Sequence, residues 1–454
     1  MLSKLNLKSG LLKSALVLSS GTALAQGISY LLTPVVTRIY TPEDFGEFGM
    51  LMRIVAFLAT LGALRYEYAL PLPKRDQHAY YLYRLTIRIL FFTIISSLVV
   101  GGLYWAFHQE LGNFVREILH YTWFDFSFQG KSTTLLFYIL LIIGISGATV
   151  FINIGRHWAI RMKWFKKITI ATVITSATTN LMKIIFGVFE WGVFGLAIAT
   201  LIGVFFGSLV FLKDTFTIYK NKKSSLRRKI LAKTYREFPR VMLPQNVIDA
   251  ARELIIAFFL IGYFSTDLFG SYDHSFRMLK IPLLLVGSAI GQVLYSRMSK
   301  DFANQKEIYL LLKKSVLLLT VLGIVPFTII YIWGEPIFTF VFGNQWSVSG
   351  QIAAVLSPWL MANFVLSSVS MVPSIVGKLK WFFWVGLVAT AFQLISFGYF
   401  PVFMDYFGVN EIQILAYISW GMFILFGGMT IWLMKIVKSV ENNAIEKRES
   451  ITEK

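Results

Sequence analysis

The chain of 454 residues contains no cysteine. That excludes disulfides, zinc–thiolate sites and thiol chemistry together. Histidine is nearly as scarce. The five present (His78, His108, His120, His157 and His274) are scattered without metal-ligand spacing, so no metal site is expected. Acidic residues are few, 24 Asp and Glu against 43 Lys and Arg, which leaves a net charge of +19. No Ser/His/Asp arrangement is legible, and no catalytic residue is assigned. Residues 130–133 read GKST, the tail of a phosphate-binding loop, but Asp125 stands where that loop requires its first glycine. No nucleotide-driven motor is therefore expected, and no organic cofactor.

What the chain has in abundance is apolar sequence, 56% of all residues. Runs of 18 or more apolar residues recur along its whole length, each able to cross a hydrocarbon core roughly 30 Å thick. A lone run would suggest an anchor, and one at the start a signal peptide. Here the runs continue from end to end, so the membrane part is the protein.

Apolar runs and charged breaks predict twelve helices, near 11–33, 45–71, 83–107, 134–155, 168–188, 191–212, 242–262, 275–296, 309–333, 351–376, 381–400 and 411–437. Only Phe189, Glu190 and Trp191 separate the fifth from the sixth, which calls for a tight turn. Alternate loops differ in charge. One set carries Lys4, Lys8, Lys74, Arg75, Arg156, Arg161, Lys163, Lys166, Lys167, Lys378 and Lys380. The other carries Glu43, Asp44, Glu110, Asp125, Glu190, Asp267, Asp273, Glu335 and Asp405. The positive-inside rule places the basic set, and with it both termini, in the cytoplasm. A soluble protein with this charge would raise nucleic acid as a partner. The one-sided loop pattern explains the charge without it, and anionic membrane lipids are the expected contact of the basic linker 213–240.

That linker lies near the midpoint of the chain. Phe45-Gly46 aligns with Phe269-Gly270, Phe48 with Tyr272 and Arg53 with Arg277, all at an offset of 224 residues. Arg161-Met162-Lys163-Trp164-Phe165 aligns with Lys378-Leu379-Lys380-Trp381-Phe382 at 217. Each match falls at the same helix position of its half. Six helices per half keeps the orientation, so the repeats are parallel, with the path expected between them. The expected domains are a first lobe over 1–212, the linker 213–240, a second lobe over 241–437 and a charged tail over 438–454.

Ionisable residues inside such helices are expensive and mark candidate sites. Arg53 and its repeat-mate Arg277 could hold a phosphorylated headgroup by charge-assisted, bidentate hydrogen bonds, or snorkel to the interface. Lys183, three residues past Asn180, and Arg252 are further cationic candidates. Asp249, Arg252 and Glu253 share one helix face, either as a coupling site for H+ or Na+ or as a self-neutralised triad. Arg65 and Glu67 read as interfacial anchors. Gly203-x-x-x-Gly207 and Gly287-x-x-x-Gly291 read as close helix packing, and Pro34, Pro282, Pro326, Pro358 and Pro373 as points where helices bend.

The segment SSGTALAQGISYLLTPVVTRIYTPEDFGEFGM (19–50), followed by LRYEYALPLPKRDQHA (64–79), resembles bacterial polysaccharide-biosynthesis flippases of the Wzx type. The resemblance implies a superfamily shared with multidrug-extruding MATE transporters, and an all-α, V-shaped, two-lobed integral membrane fold. It also implies translocation of undecaprenyl-diphosphate-linked oligosaccharide, such as an O-antigen unit, across the inner membrane. Polysaccharide polymerase and chain-length machinery are the implied partners. Two rivals remain. A cation-coupled efflux pump would need acids in its cavity, which only Asp249 and Glu253 could supply. A membrane glycan polymerase would need a large catalytic loop, and 108–131 is short.

Overall fold

The structure, a computed structural model, describes residues 10–119, 132–220, 226–304, 306–403 and 408–452. The loop residues His120, Asp125, Gly130, Lys131, Lys222, Lys223 and Asp405, with Lys4 and Lys8, lie outside the described residues. Within them the chain is helical and no strand occurs. The first half comprises α1 (Gly10–Ile39), α2 (Pro42–Leu61), α3 (Asp76–Leu119), α4 (Ser132–Arg161), α5 (Phe165–Val188), α6 (Gly192–Lys220) and the short α7 (Leu226–Thr234). The second comprises α8 (Leu243–Tyr263), α9 (Thr266–Ala303), α10 (Tyr309–Phe342) and α11 (Ser347–Val369). A single turn, α12 (Val372–Ile375), then leads to α13 (Leu379–Tyr399) and α14 (Glu411–Thr452).

Each predicted span has its own long helix. The second is shorter than the expected 45–71, because α2 stops at Leu61 and Tyr66–Ala69 form a 3-10 turn. Among the described residues, eight helices are long and apolar enough to cross a membrane on length and composition alone. Three of the others, α2, α8 and α9, carry Arg53, the Asp249–Arg252–Glu253 group and Arg277. A charge exposed to lipid is costly, so helices this polar need protein or water beside them.

The chain divides into two compact units, Met1–Ala257 and Phe258–Lys454, with the dividing line inside α8. In the N-terminal unit, Thr41 caps α2. Its hydroxyl accepts from the Asp44 amide at 3.2 Å, and Asp44 Oδ2 accepts from the Thr41 amide at 3.0 Å. This is a capping box with Pro42 opening the helix. The expected turn between α5 and α6 is present. Glu190 and Gly192 adopt left-handed φ of 57° and 51°, and the Phe186 and Trp191 rings stack at 4.7 Å across it. The two helices then press together, since a Cβ at Gly203 or Gly207 would lie 1.9 Å from Thr179 Oγ1 or Thr175 Oγ1.

The basic linker is largely helical rather than an open connector. Leu231 of α7 is buried, and Ala232, Tyr235 and Phe238 pack against the core cluster that contains Ala69, Leu70, Leu82 and Tyr83. The Tyr66 hydroxyl donates to the Ala232 carbonyl at 3.1 Å. Its apolar side thus covers one end of the N-terminal unit, leaving Lys233 and Arg236 exposed.

In the C-terminal unit, Ser265 caps α9 by accepting from the Leu268 amide at 3.0 Å. Ser275 and Ser349 exchange a buried hydroxyl contact at 2.7 Å that ties α9 to α11. Gly287 and Gly291 meet Ser368 of α11, so both small-residue motifs serve packing. Pro34, Pro326 and Pro358 lie inside α1, α10 and α11. The backbone of α10 leaves helical geometry at Trp333, three residues before Pro336, whose ring crowds the preceding turn.

Candidate functional site

Arg53 sits near the middle of α2, eleven residues after Pro42 and eight before Leu61. Its Nη1 donates to the Gly49 carbonyl one turn back, at 3.4 Å. Lys183 reaches α2 from α5, with Nζ 4.6 Å from the centre of the Phe48 ring. Phe48 and Arg53 are five positions apart, about 140° around a helix. The structure therefore brings Lys183 to α2, though not to the face that carries Arg53. The Tyr40 hydroxyl donates to the Lys183 carbonyl at 2.8 Å and fixes this end of α5.

Beside Lys183 runs a polar seam that the sequence reading did not pick out. The Ser29 and Ser176 hydroxyls meet at 2.9 Å, and Asn180 Nδ2 donates to Ser29 Oγ at 3.1 Å. On the same stretch of α1, Gln26 Oε1 and the Tyr30 hydroxyl are buried with no protein hydrogen-bond partner. A signal existed: Gln26, Ser29, Tyr30, Thr33 and Thr37 recur at helical spacing within an apolar run.

A second basic group occupies the opposite end of the unit. Arg156, counted in the sequence as a loop residue, lies within α4, a turn and a half before Arg161. Its Nη2 donates to Thr172 of α5 at 3.1 Å, its Nε is buried without a partner, and no carboxylate is within ion-pair distance among the described residues. Arg65 follows α2 in a left-handed conformation, φ 62°. It contacts Glu67 at 3.8 Å and donates to Thr60 Oγ1 at 3.3 Å. Glu67 is buried rather than an interfacial anchor. In the turn outside the spans, burial pushes its carboxyl above the ordinary value, opposed by a backbone hydrogen bond and by Arg65.

In α8, Arg252 lies between its two acids, 3.6 Å from Asp249 and 3.2 Å from Glu253. The geometry is that of the self-neutralised triad. In α9, Arg277 is exposed and pairs with Asp273 at 2.8 Å. Asp273, counted with the loop acids, is instead a buried helix residue. Arg53 and Arg277 belong to different units.

Long apolar helices in two halves, with cations inside them, define a multi-pass membrane protein. Solved structures share the fold. An inward-facing multidrug resistance MATE family transporter of the MOP superfamily superposes with a TM-score of 0.60, 14% identity, over 93% of this chain and 96% of that one. A MOP superfamily transporter from Pyrococcus furiosus does so at 0.52, with 14% identity, over 94% and 96%. Residues 35–351 match the family described as polysaccharide biosynthesis protein, and the chain belongs to that family. It is similar to the succinoglycan biosynthesis transport protein ExoT of Rhizobium meliloti, 21% identical over 411 residues, which is 87% of this chain and 77% of that protein. The fold is thus all-α and MATE-like, with six long helices in each half.

Proposed function

We propose that the protein is a flippase. It moves undecaprenyl-diphosphate-linked oligosaccharide repeat units, of O-antigen or a related surface polysaccharide, across the bacterial inner membrane by alternating access. Both termini are cytoplasmic, and an H+ or Na+ gradient or the membrane potential supplies the driving force. The polysaccharide polymerase and chain-length machinery are its functional partners.

The observation that carries this reading is the set of cations inside helices of a polysaccharide-biosynthesis family member: Arg53 in α2 and Lys183 in α5. A diphosphate is the natural counter-charge for such groups, and guanidinium matches it bidentately. Gln26 and Tyr30, with buried polar atoms lacking protein partners, suit sugar hydroxyls. The similar transporter of succinoglycan biosynthesis points to a polysaccharide cargo as well. A cation efflux pump would instead want acids available to its substrate, and the α8 carboxylates are engaged by Arg252.

The test is transport of a lipid-linked oligosaccharide in proteoliposomes. Wild type should make the glycan accessible to a hydrolase added on the far side, and R53Q/K183M should not. Equal translocation by that double variant, or none by wild type while organic cations are exported, would sink the reading.

A further inference from the structure

We propose that Arg65 and Arg156 form a second phosphate-binding station in the N-terminal unit, walled by the Tyr68 and His157 rings. It lies beyond the end of α2, on the order of 15 Å along the helix axis from Arg53 at 1.5 Å per residue. It rests on the flippase reading only for the origin of the phosphate.

The two arginines come from different elements, and those elements are joined at one aromatic contact. Arg65 lies over the Tyr68 ring, 5.6 Å from its centre, and Tyr68 packs on His157 at 4.5 Å. Both guanidiniums act electrostatically on His157, the residue next to Arg156. The Arg65 side chain is only 13% exposed. Among the described residues the one acid paired with either cation is Glu67, at the long distance of 3.8 Å from Arg65.

The hydrogen bonding is as incomplete as the charge. The Nε atoms of Arg65 and Arg156 are both buried with no partner. A guanidinium has five donors, and a buried donor left unmade costs about 1–3 kcal/mol. The backbone is strained to hold Arg65 there, since Leu64 and Arg65 adopt successive left-handed φ of 49° and 62° without glycine. A station with surplus, partly buried positive charge, open donors and strained backbone is completed by an anion. The planar forks select phosphate, from an isoprenoid diphosphate or from a bilayer phospholipid.

The experiment is hydrogen–deuterium exchange on the full-length protein. One arm adds pyrophosphate in neutral detergent, with chloride at matched ionic strength as control. The other compares phosphatidylcholine nanodiscs with and without phosphatidylglycerol. Protection of 62–69 and 153–160 by pyrophosphate alone assigns the station to a diphosphate headgroup. Protection by phosphatidylglycerol alone assigns it to bilayer lipid, and protection by both to either phosphate. R156Q should weaken pyrophosphate binding about tenfold, the scale of one charge-assisted hydrogen bond, and R156K should retain most of it. No protection of these segments in either arm, or equal protection by chloride, overturns the proposal whether or not R156Q folds. Protection near Arg53 and Lys183 with none here would remove the station and leave the flippase reading intact.

Discussion

Arg277 grips the Asp273 carboxylate at 2.8 Å, one turn back along α9, whereas its repeat-mate Arg53 turns back to the Gly49 carbonyl at 3.4 Å. The positions correspond, because Gly49 and Asp273 are separated by the same 224 residues as the two arginines. The duplicated scaffold was kept while its charge diverged. The second half carries an internal ion pair where the first has an arginine on a glycine turn. Removing Arg277 leaves the Asp273 carboxylate buried without its cation. R277Q should therefore destabilise the protein by about 2 kcal/mol, discounted from the full cost of a broken buried pair because Arg277 is exposed. R277Q/D273N should recover much of that, as read from thermal unfolding in detergent.

Arg53 and Lys183 should matter to transport more than to folding. Loss of one charge-assisted hydrogen bond costs about 1.5–3 kcal/mol, which is roughly ten- to a hundredfold in affinity. R53Q and K183M should each reduce translocation on that scale while membrane levels stay constant. Vesicle transport normalised to protein content checks this. An unchanged rate for both would move the headgroup site elsewhere.

The long helices were legible because a bilayer demands uninterrupted apolar runs, and no soluble packing competes with that signal. The repeat was legible through Phe45-Gly46 and Phe269-Gly270, and the structure extends it to the caps. Thr41 and Ser265 open α2 and α9 at the same 224-residue offset. Arg156 and Asp273 were misplaced for one reason: loop-charge counting assigns a charge near a helix end to the loop. The α7 contact was hidden because Leu231, Ala232 and Tyr235 are interleaved with basic residues, and only the burial of Leu231 and the packing of Ala232 and Tyr235 against the core that holds Leu82 and Tyr83 reveal an apolar side. Glu67 needed tertiary contacts to be recognised as buried.

The paired caps give a direct test of the repeat. T41A and S265A should each cost about 1 kcal/mol, the usual worth of an N-cap side chain. T41A also removes the group that Asp44 answers, so D44A on a T41A background should add less than D44A alone. Unfolding midpoints of the four variants measure both effects.

Glu67 makes stability depend on pH in the direction opposite to a salt-bridged acid. Burial raises its carboxyl in the folded protein above the ordinary 4.5. Between the two values the folded state holds a proton that the unfolded state has released. Stability therefore falls as pH rises from about 4.5 through the raised value. E67Q cannot ionise and should escape that loss. The difference in midpoint between E67Q and wild type should widen from pH 4 to pH 7, and a constant difference would show that Glu67 is as well stabilised folded as unfolded.

The α5–α6 seam makes the strictest packing prediction. A methyl group at Gly203 would fall 1.9 Å from Thr179 Oγ1 and 2.9 Å from the Thr175 carbonyl, the second being backbone that cannot swing aside. Overpacking of this kind costs about 1–3 kcal/mol. G203A should therefore lower the unfolding midpoint, and T179A/G203A should restore only part of it, because the Thr175 carbonyl stays in place. At Gly207 the close atom is again a hydroxyl, Thr175 Oγ1 at 1.9 Å, while the nearest backbone atom, the Ala171 carbonyl, stands back at 3.2 Å. T175A/G207A should accordingly recover more of its loss than T179A/G203A. The order of the two rescues separates a side-chain clash from a backbone one, and equal rescue would mean that α5 and α6 can draw apart at little cost.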